Sequence, residues 1–135
     1  MTALNAQDSE LLGTSVLLAQ DLLIDILSHI TLLESHADPQ LLTWNRMAIK
    51  ITSDISTFVE LTTLTSKLMS KKGYAALPEI KESHIHLLFI LKGVSQATQK
   101  QDIIVLGELL KYELKDNLTQ WKIDLIPQLK RLLNL

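Results

Sequence analysis

The chain has 135 residues, of which 47% are hydrophobic, 21% charged and 4% aromatic, with no cysteine and a formal net charge of -2 at pH 7. That length and balance fit one folded domain with a single continuous core, and they exclude an intrinsically disordered chain. The lack of cysteine excludes a disulfide framework, a thiolate zinc site and a cysteine nucleophile, and the near-neutral charge argues against a nucleic-acid partner.

Met1 to Asp8 shows no basic segment followed by an apolar run, so a secretory signal is not expected. Uninterrupted apolar stretches such as Leu22 to Ile24 and Ile103 to Leu106 fall far short of the roughly 20 residues that span a bilayer. These features predict a cytoplasmic protein with no membrane partner. The charge is unevenly spread: no Lys or Arg precedes Arg46, whereas Asp8, Glu10, Asp21, Asp25, Glu34 and Asp38 all do. An acidic first helix beside more basic neighbours accounts for this in structural terms, and an acidic face offered to a basic partner is the functional alternative.

Apolar residues at Leu12, Val16, Ala19, Leu23, Ile26, Ile30 and Leu33 recur in steps of four and three, which predicts an amphipathic helix over about 9–36, with Gly13 able to delay its start. Asp38-Pro39 then reads as an N-cap followed by proline at the first helical position. The second helix, about 39–71, is marked by Trp44, Ala48, Ile51, Ile55, Phe58, Leu61, Leu64 and Leu68, and it ends at Lys71-Lys72-Gly73, where glycine suits a left-handed cap. Its many threonines and serines lower helix propensity and allow a bend.

Pro78 opens a third helix, about 78–99. Asp102 is the expected N-cap of a fourth, about 102–126, carrying Leu106, Leu110, Leu114, Leu118, Trp121 and Leu125. Pro127 is expected to kink that helix or split off a short extension over 127–134. Short connections between four long helices predict an all-α, antiparallel up-down-up-down four-helix bundle in one domain, 1–135. Gly93 and Gly107 flank the last turn at similar distances and are expected to face each other at a close crossing of helices three and four.

Few residues suggest chemistry. Asp21, Asp25 and His29 are spaced i, i+4, i+8 along one side of helix one, as part of a metal site would require, although the facing Glu-x-x-His pairs of a bundle metal centre do not occur. A solvated acidic face is the structural reading of the same three residues. His84 and His86 would point in different directions from a helix, His84 beside the core and His86 in solvent. Trp44 and Trp121 fall on the apolar stripes, each wanting a partner for its indole N–H. No nucleophile elbow, phosphate loop or paired-acid cleft occurs, so neither catalysis nor a cofactor is expected. Apolar residues off the stripes, namely Leu22, Leu27 and Leu32 on helix one and Ile104, Val105 and Leu109 on helix four, widen both helices beyond a narrow seam.

The run Asp102-Ile103-Ile104-Val105-Leu106-Gly107-Glu108-Leu109-Leu110-Lys111-Tyr112-Glu113-Leu114, followed by Leu118 and Trp121, resembles a pattern of small uncharacterised bacterial helical domains. The resemblance covers about 40 residues of helices three and four and implies the fold and a bacterial origin, with no activity attached. More loosely, the hairpin is similar to the last bundle helix of flagellar export chaperones, with Tyr112-Glu113-Leu114 in place of their Tyr-Asp-Tyr arrangement. These features lead to the expectation of a non-catalytic interaction module, adaptor- or chaperone-like, binding a protein partner or forming a homodimer through Leu22, Ile104, Val105 and Tyr112. The alternative expectation is a metal- or small-ligand-binding bundle centred on Asp21, Asp25 and His29.

Overall fold

A computed structural model describes residues 6–35, 42–74 and 77–135. Helix α1 (Ala6–Glu34) buries Leu12, Ser15, Val16, Ala19, Leu23, Ile26, Ile30 and Leu33, so the apolar stripe legible in the sequence is the stripe that packs. The helix is already formed at Ala6, ahead of the expected start near residue 9, and runs through Gly13 without interruption. A Cβ at Gly13 would lie 3.5 Å from the side chain of Leu135, so the C-terminal residue packs against this turn. The Asp38-Pro39 junction lies outside the described residues.

Helix α2 (Leu42–Lys72) continues without a break despite its hydroxyl residues. Leu61 and Leu64 were the expected core positions of its second half, but Thr62 and Thr65 are buried there and the two leucines are half-buried. Steps of four, three and four from Phe58 lead to Thr62, Thr65 and Met69, and these hold one face of a 3.6-residue helix better than the leucine series. The hydroxyls tolerate burial because each donates to its own helix, Thr62 to the Val59 carbonyl at 3.0 Å and Thr65 to the Leu61 carbonyl at 2.8 Å. Thr65 also meets Ser15 of α1 at 3.1 Å. The helix ends as the basic-Gly signature predicts: Gly73 has φ 87°, its N–H donates to Ser70 and the N–H of Tyr74 donates to Met69. This is the paired 5→2 and 6→1 closure of a Schellman motif.

Helix α3 (Pro78–Gln99) starts on Pro78, where the missing donor has no intrahelical partner to lose. Its C-terminus repeats the Schellman closure, with Gln101 donating to Thr98 and Asp102 to Ala97, but here a non-glycine residue, Gln101, takes φ 56°. Asp102 then caps the next helix, its Oδ1 accepting from the Val105 N–H at 3.1 Å.

The last helical run consists of Ile103–Glu108, Leu109–Leu114, Lys115–Gln120, Trp121–Leu125 and Ile126–Leu132, together called α4; Leu109–Leu114 and Trp121–Leu125 are π-helical. The buried series Leu110, Leu114, Leu118, Trp121, Leu125 and Leu129 advances by about 3.8 residues per step, more than the 3.6 of an α-helix. On a uniform α-helix that series would drift off the core, and wider π turns return it. The second π segment ends two residues before Pro127, which has no N–H to offer and crowds the preceding turn; the helix passes Pro127 without splitting.

Paired residues run in opposite senses along three pairs of neighbouring helices. Between α1 and α2 the partners are Asp8 with Lys71 and Ser15 with Thr65. Between α3 and α4 they are Ser83 with Asn117 and Glu79 with Gln128. Between α1 and α4 they are Gln20 with Lys130 and Glu34 with Lys115. Across the middle, Phe58 of α2 meets Trp121 of α4 edge to face, with ring centroids 5.5 Å apart. The four helices thus surround one core rich in leucine and isoleucine, and no strand occurs among the described residues.

The two glycines do not face each other. A Cβ on Gly93 would lie 3.3 Å from Leu109 of α4, whereas one on Gly107 would lie 3.5 Å from Trp44 of α2. Leu109 and Gly107 are two residues apart and therefore point to different sides of α4, so only one of them can front α3. Gly93 thus accommodates the end of the Leu109 side chain, and Gly107 accommodates the Trp44 indole.

Candidate functional site

Two places combine shape or chemistry in a way the rest of the surface does not. The first is the groove between α2 and α3. Small residues occupy the α3-facing side of α2, among them Ala48, Thr52, Ser53, Ser56, Thr63 and Ser66, and they do not fill the space that leucines would. An upper cavity of about 680 Å³ is left against Ala97, Thr98, Ile103 and Leu106, with Ile49 on its edge. A lower cavity of about 410 Å³ is left against Met69, Tyr74, Leu77, Ile80 and Ile85.

Several lining hydroxyls are turned away from these spaces in hydrogen-bonding terms. Thr52 donates to the Ala48 carbonyl at 2.8 Å, Ser56 to Thr52 at 3.3 Å and Thr63 to Val59 at 2.7 Å. With those donors committed to their own helix, the groove presents mainly methyl groups and aliphatic side chains. His84 stands where the helices come together, its Nδ1 3.2 Å from the Thr62 hydroxyl oxygen. Burial holds its pKa below the ordinary histidine value, so the neutral ring is favoured.

The second place is on the α1–α2 seam. Asp25, His29 and Asp54 each bring a potential ligand atom within 4.8 Å of the other two. His29 Nδ1 is 2.8 Å from the Asp25 carbonyl oxygen and 3.7 Å from Asp25 Oδ2. Asp54 is only 7% exposed; its Oδ1 accepts from Lys50 Nζ at 3.0 Å, and its Oδ2 is buried with no hydrogen-bond partner among the described residues. The Lys50 pKa is raised, first by that hydrogen bond and then by the Asp54 charge, with Asp25 adding to the effect. Sequence spacing on helix one correctly placed Asp25 beside His29. It also nominated Asp21, which is exposed and not in the cluster, and it missed Asp54 because that residue comes from another helix. An acid four residues after a lysine on an otherwise apolar face was the available signal.

The residues expected to form an interaction surface differ in exposure. Leu22 is half-buried against the core, as are Leu27 and Leu109. Ile104, Val105 and Tyr112 are exposed, by 73%, 42% and 66%, and Phe89 of α3, which sequence analysis did not single out, is 76% exposed. Helix α1 also carries exposed Leu11, Leu18, Ile24 and Leu32. With a best 18-residue window of mean hydropathy 1.7, it is long and apolar enough to cross a membrane, a property that counting uninterrupted apolar runs overlooks, and a third of that window is buried inside the bundle.

Other polar groups belong to the core. Asn117 is buried, and its Nδ2 donates to the Ser83 carbonyl at 3.1 Å and to His86 Nδ1 at 3.2 Å. Neither Trp44 nor Trp121 has found the expected partner for its indole N–H among the described residues. Comparison of the chain with family models, with curated proteins and with solved structures gives no match.

Proposed function

We propose that this protein is a non-catalytic binding module that receives an amphipathic helix of a partner protein in the groove between α2 and α3. The observation that carries this reading is the pair of apolar-lined cavities, about 680 and 410 Å³, aligned along that groove. A helix laid in a groove contributes apolar residues at spacings of three and four, and two successive cavities suit two such anchors. Charge indicates the partner's other face. Lys81 lines the lower cavity beside Ile85; Leu88 and Lys92 follow them on α3, and Glu60 and Lys67 flank Thr63 on α2, by helical spacing of three and four. With Asp102 on the upper cavity counted, three exposed lysines stand against two acids, and this basic excess favours an acidic amphipathic helix.

The test is fluorescence anisotropy with a labelled peptide bearing a Leu/Ile stripe and a glutamate-rich opposite face, beside the same peptide with lysines in place of the glutamates. The acidic peptide should bind at micromolar concentration and gain helicity, and Ser56→Trp or Ile85→Asp should weaken it at least about tenfold. Absence of binding by the wild type, or equal binding by both variants, would refute the groove. Sedimentation that shows a dimer abolished by Ile104→Asp and untouched by Ile85→Asp would move the interface to α4.

A further inference from the structure

We propose that Asp25, His29 and Asp54 form a binding site for one divalent transition-metal ion on the seam between α1 and α2, separate from the groove. Three observations converge on it. Two carboxylates and an imidazole, from two different helices, bring ligand atoms within 4.8 Å of one another. One carboxylate oxygen, Asp54 Oδ2, is buried without a hydrogen-bond partner among the described residues, which costs stability unless something of positive charge or a donor meets it. The third observation concerns the histidine. A carbonyl oxygen can only accept, so His29 Nδ1 carries the proton in its 2.8 Å contact with Asp25, and the lone pair falls on Nε2. A ligating histidine is ordinarily held in this way by its other nitrogen.

Mixed oxygen and nitrogen donors select the class of ion. An imidazole with two carboxylates suits zinc, cobalt, nickel, manganese or ferrous iron rather than calcium or a soft cuprous ion. Donors bound to one such ion at about 2.0–2.2 Å lie roughly 3–3.5 Å apart, so a pair separated by the full 4.8 Å must close by about 1.3–1.8 Å. Asp25 is exposed and His29 partly so, and their side chains can supply that movement without disturbing the core. Lys50 holds the other oxygen of Asp54 and is itself largely in solvent, which leaves it free to remain on Oδ1 while Oδ2 ligates. Three protein ligands leave positions for water, so the site is open rather than closed.

The experiment uses untagged protein, since an oligohistidine tag would bind the same ions. Isothermal titration with zinc should give one equivalent per chain, and cobalt(II) should develop visible d–d absorption. His29→Gln and Asp54→Asn should each weaken binding by more than about tenfold, with the helical circular dichroism of His29→Gln unchanged, while Asp21→Asn should bind as the wild type does. No zinc uptake up to about 1 mM, or uptake that His29→Gln leaves intact, would overturn the site. Should Asp54→Asn fail to fold, His29→Gln decides alone, because its partly exposed ring is not part of the core.

Discussion

Replacing Gly107 with alanine should make the protein more stable, although Gly107 is buried. The residue lies within α4, where glycine costs about 1 kcal/mol relative to alanine through the freedom it gives the unfolded chain. The new methyl would meet Trp44 Cζ2 at 3.5 Å, an ordinary van der Waals separation that demands no movement of the indole. The expected gain is therefore about 0.5–1 kcal/mol. At roughly 2.1 cal/mol/K per residue, a chain of this length unfolds with an entropy near 0.28 kcal/mol/K, so the melting temperature should rise by about 2–4 °C. Gly107→Leu should reverse the sign, because its extra atoms must displace Trp44 in a filled core at a cost of about 1–3 kcal/mol. Gly73→Ala should also destabilise, by about 1 kcal/mol, since its φ of 87° strains any residue with a Cβ. Thermal denaturation followed by circular dichroism measures all three. A fall in melting temperature for Gly107→Ala would mean that Trp44 packs against the α4 backbone more tightly than 3.5 Å implies, and the reasoning would fail.

Gln101→Gly should stabilise by about 0.5–1 kcal/mol, because Gln101 holds φ 56° at the end of α3; an unchanged urea midpoint would contradict this. Asn117→Asp should destabilise by about 2–3 kcal/mol near neutral pH, since an ionised carboxylate cannot donate to the Ser83 carbonyl and would be buried without a compensating cation, as urea titration would show. The lowered pKa of His84 gives a pH dependence of defined sign. As pH falls through about 6.5 the unfolded chain takes up the proton before the folded one does, so this contribution to stability is full above 6.5 and declines between 6.5 and the lower folded value. Urea midpoints for wild type and His84→Gln at about pH 7.5 and about pH 5.5 should show a smaller acid loss in the variant; equal losses would remove His84 as the cause.

What the sequence made legible was whatever a single helix determines by itself. The α1 stripe from Leu12 to Leu33, the glycine cap at Gly73, Pro78 as the start of α3 and Asp102 as an N-cap all follow from local spacing and backbone chemistry, and each is present. The misreadings arose where hydrophobicity and helical period disagree. In the second half of α2 the period favours Thr62 and Thr65, and intrahelical hydrogen bonds to Val59 and Leu61 make their burial inexpensive. In α4 the leucine spacing exceeds the α-helical period, and the backbone changes hydrogen-bonding pattern twice rather than expose the leucines. Both outcomes follow from one preference: a core position is filled by whatever the helix geometry delivers there, and Thr62 and Thr65 suit it because their hydroxyls are satisfied within the helix.

The candidate sites were less legible because they depend on pairs of helices. Asp25 and His29 share a helix, so spacing alone brought them together, but the buried carboxylate between them and Lys50 comes from α2, and only the α1–α2 register sets Asp54 opposite them. The same register places Ser15 against Thr65 and Asp8 against Lys71. Shifting α2 by one residue would turn each of these partners about 100° away. The groove is a second effect of the same helix. Serine and threonine on α2 read in sequence as poor helix formers, yet on the α3-facing side their consequence is volume: short side chains whose hydroxyls return to their own backbone leave apolar space beside α3. A hydroxyl-rich helix can thus be a structural weakness by propensity and a binding wall by geometry, and α2 carries both features on different faces.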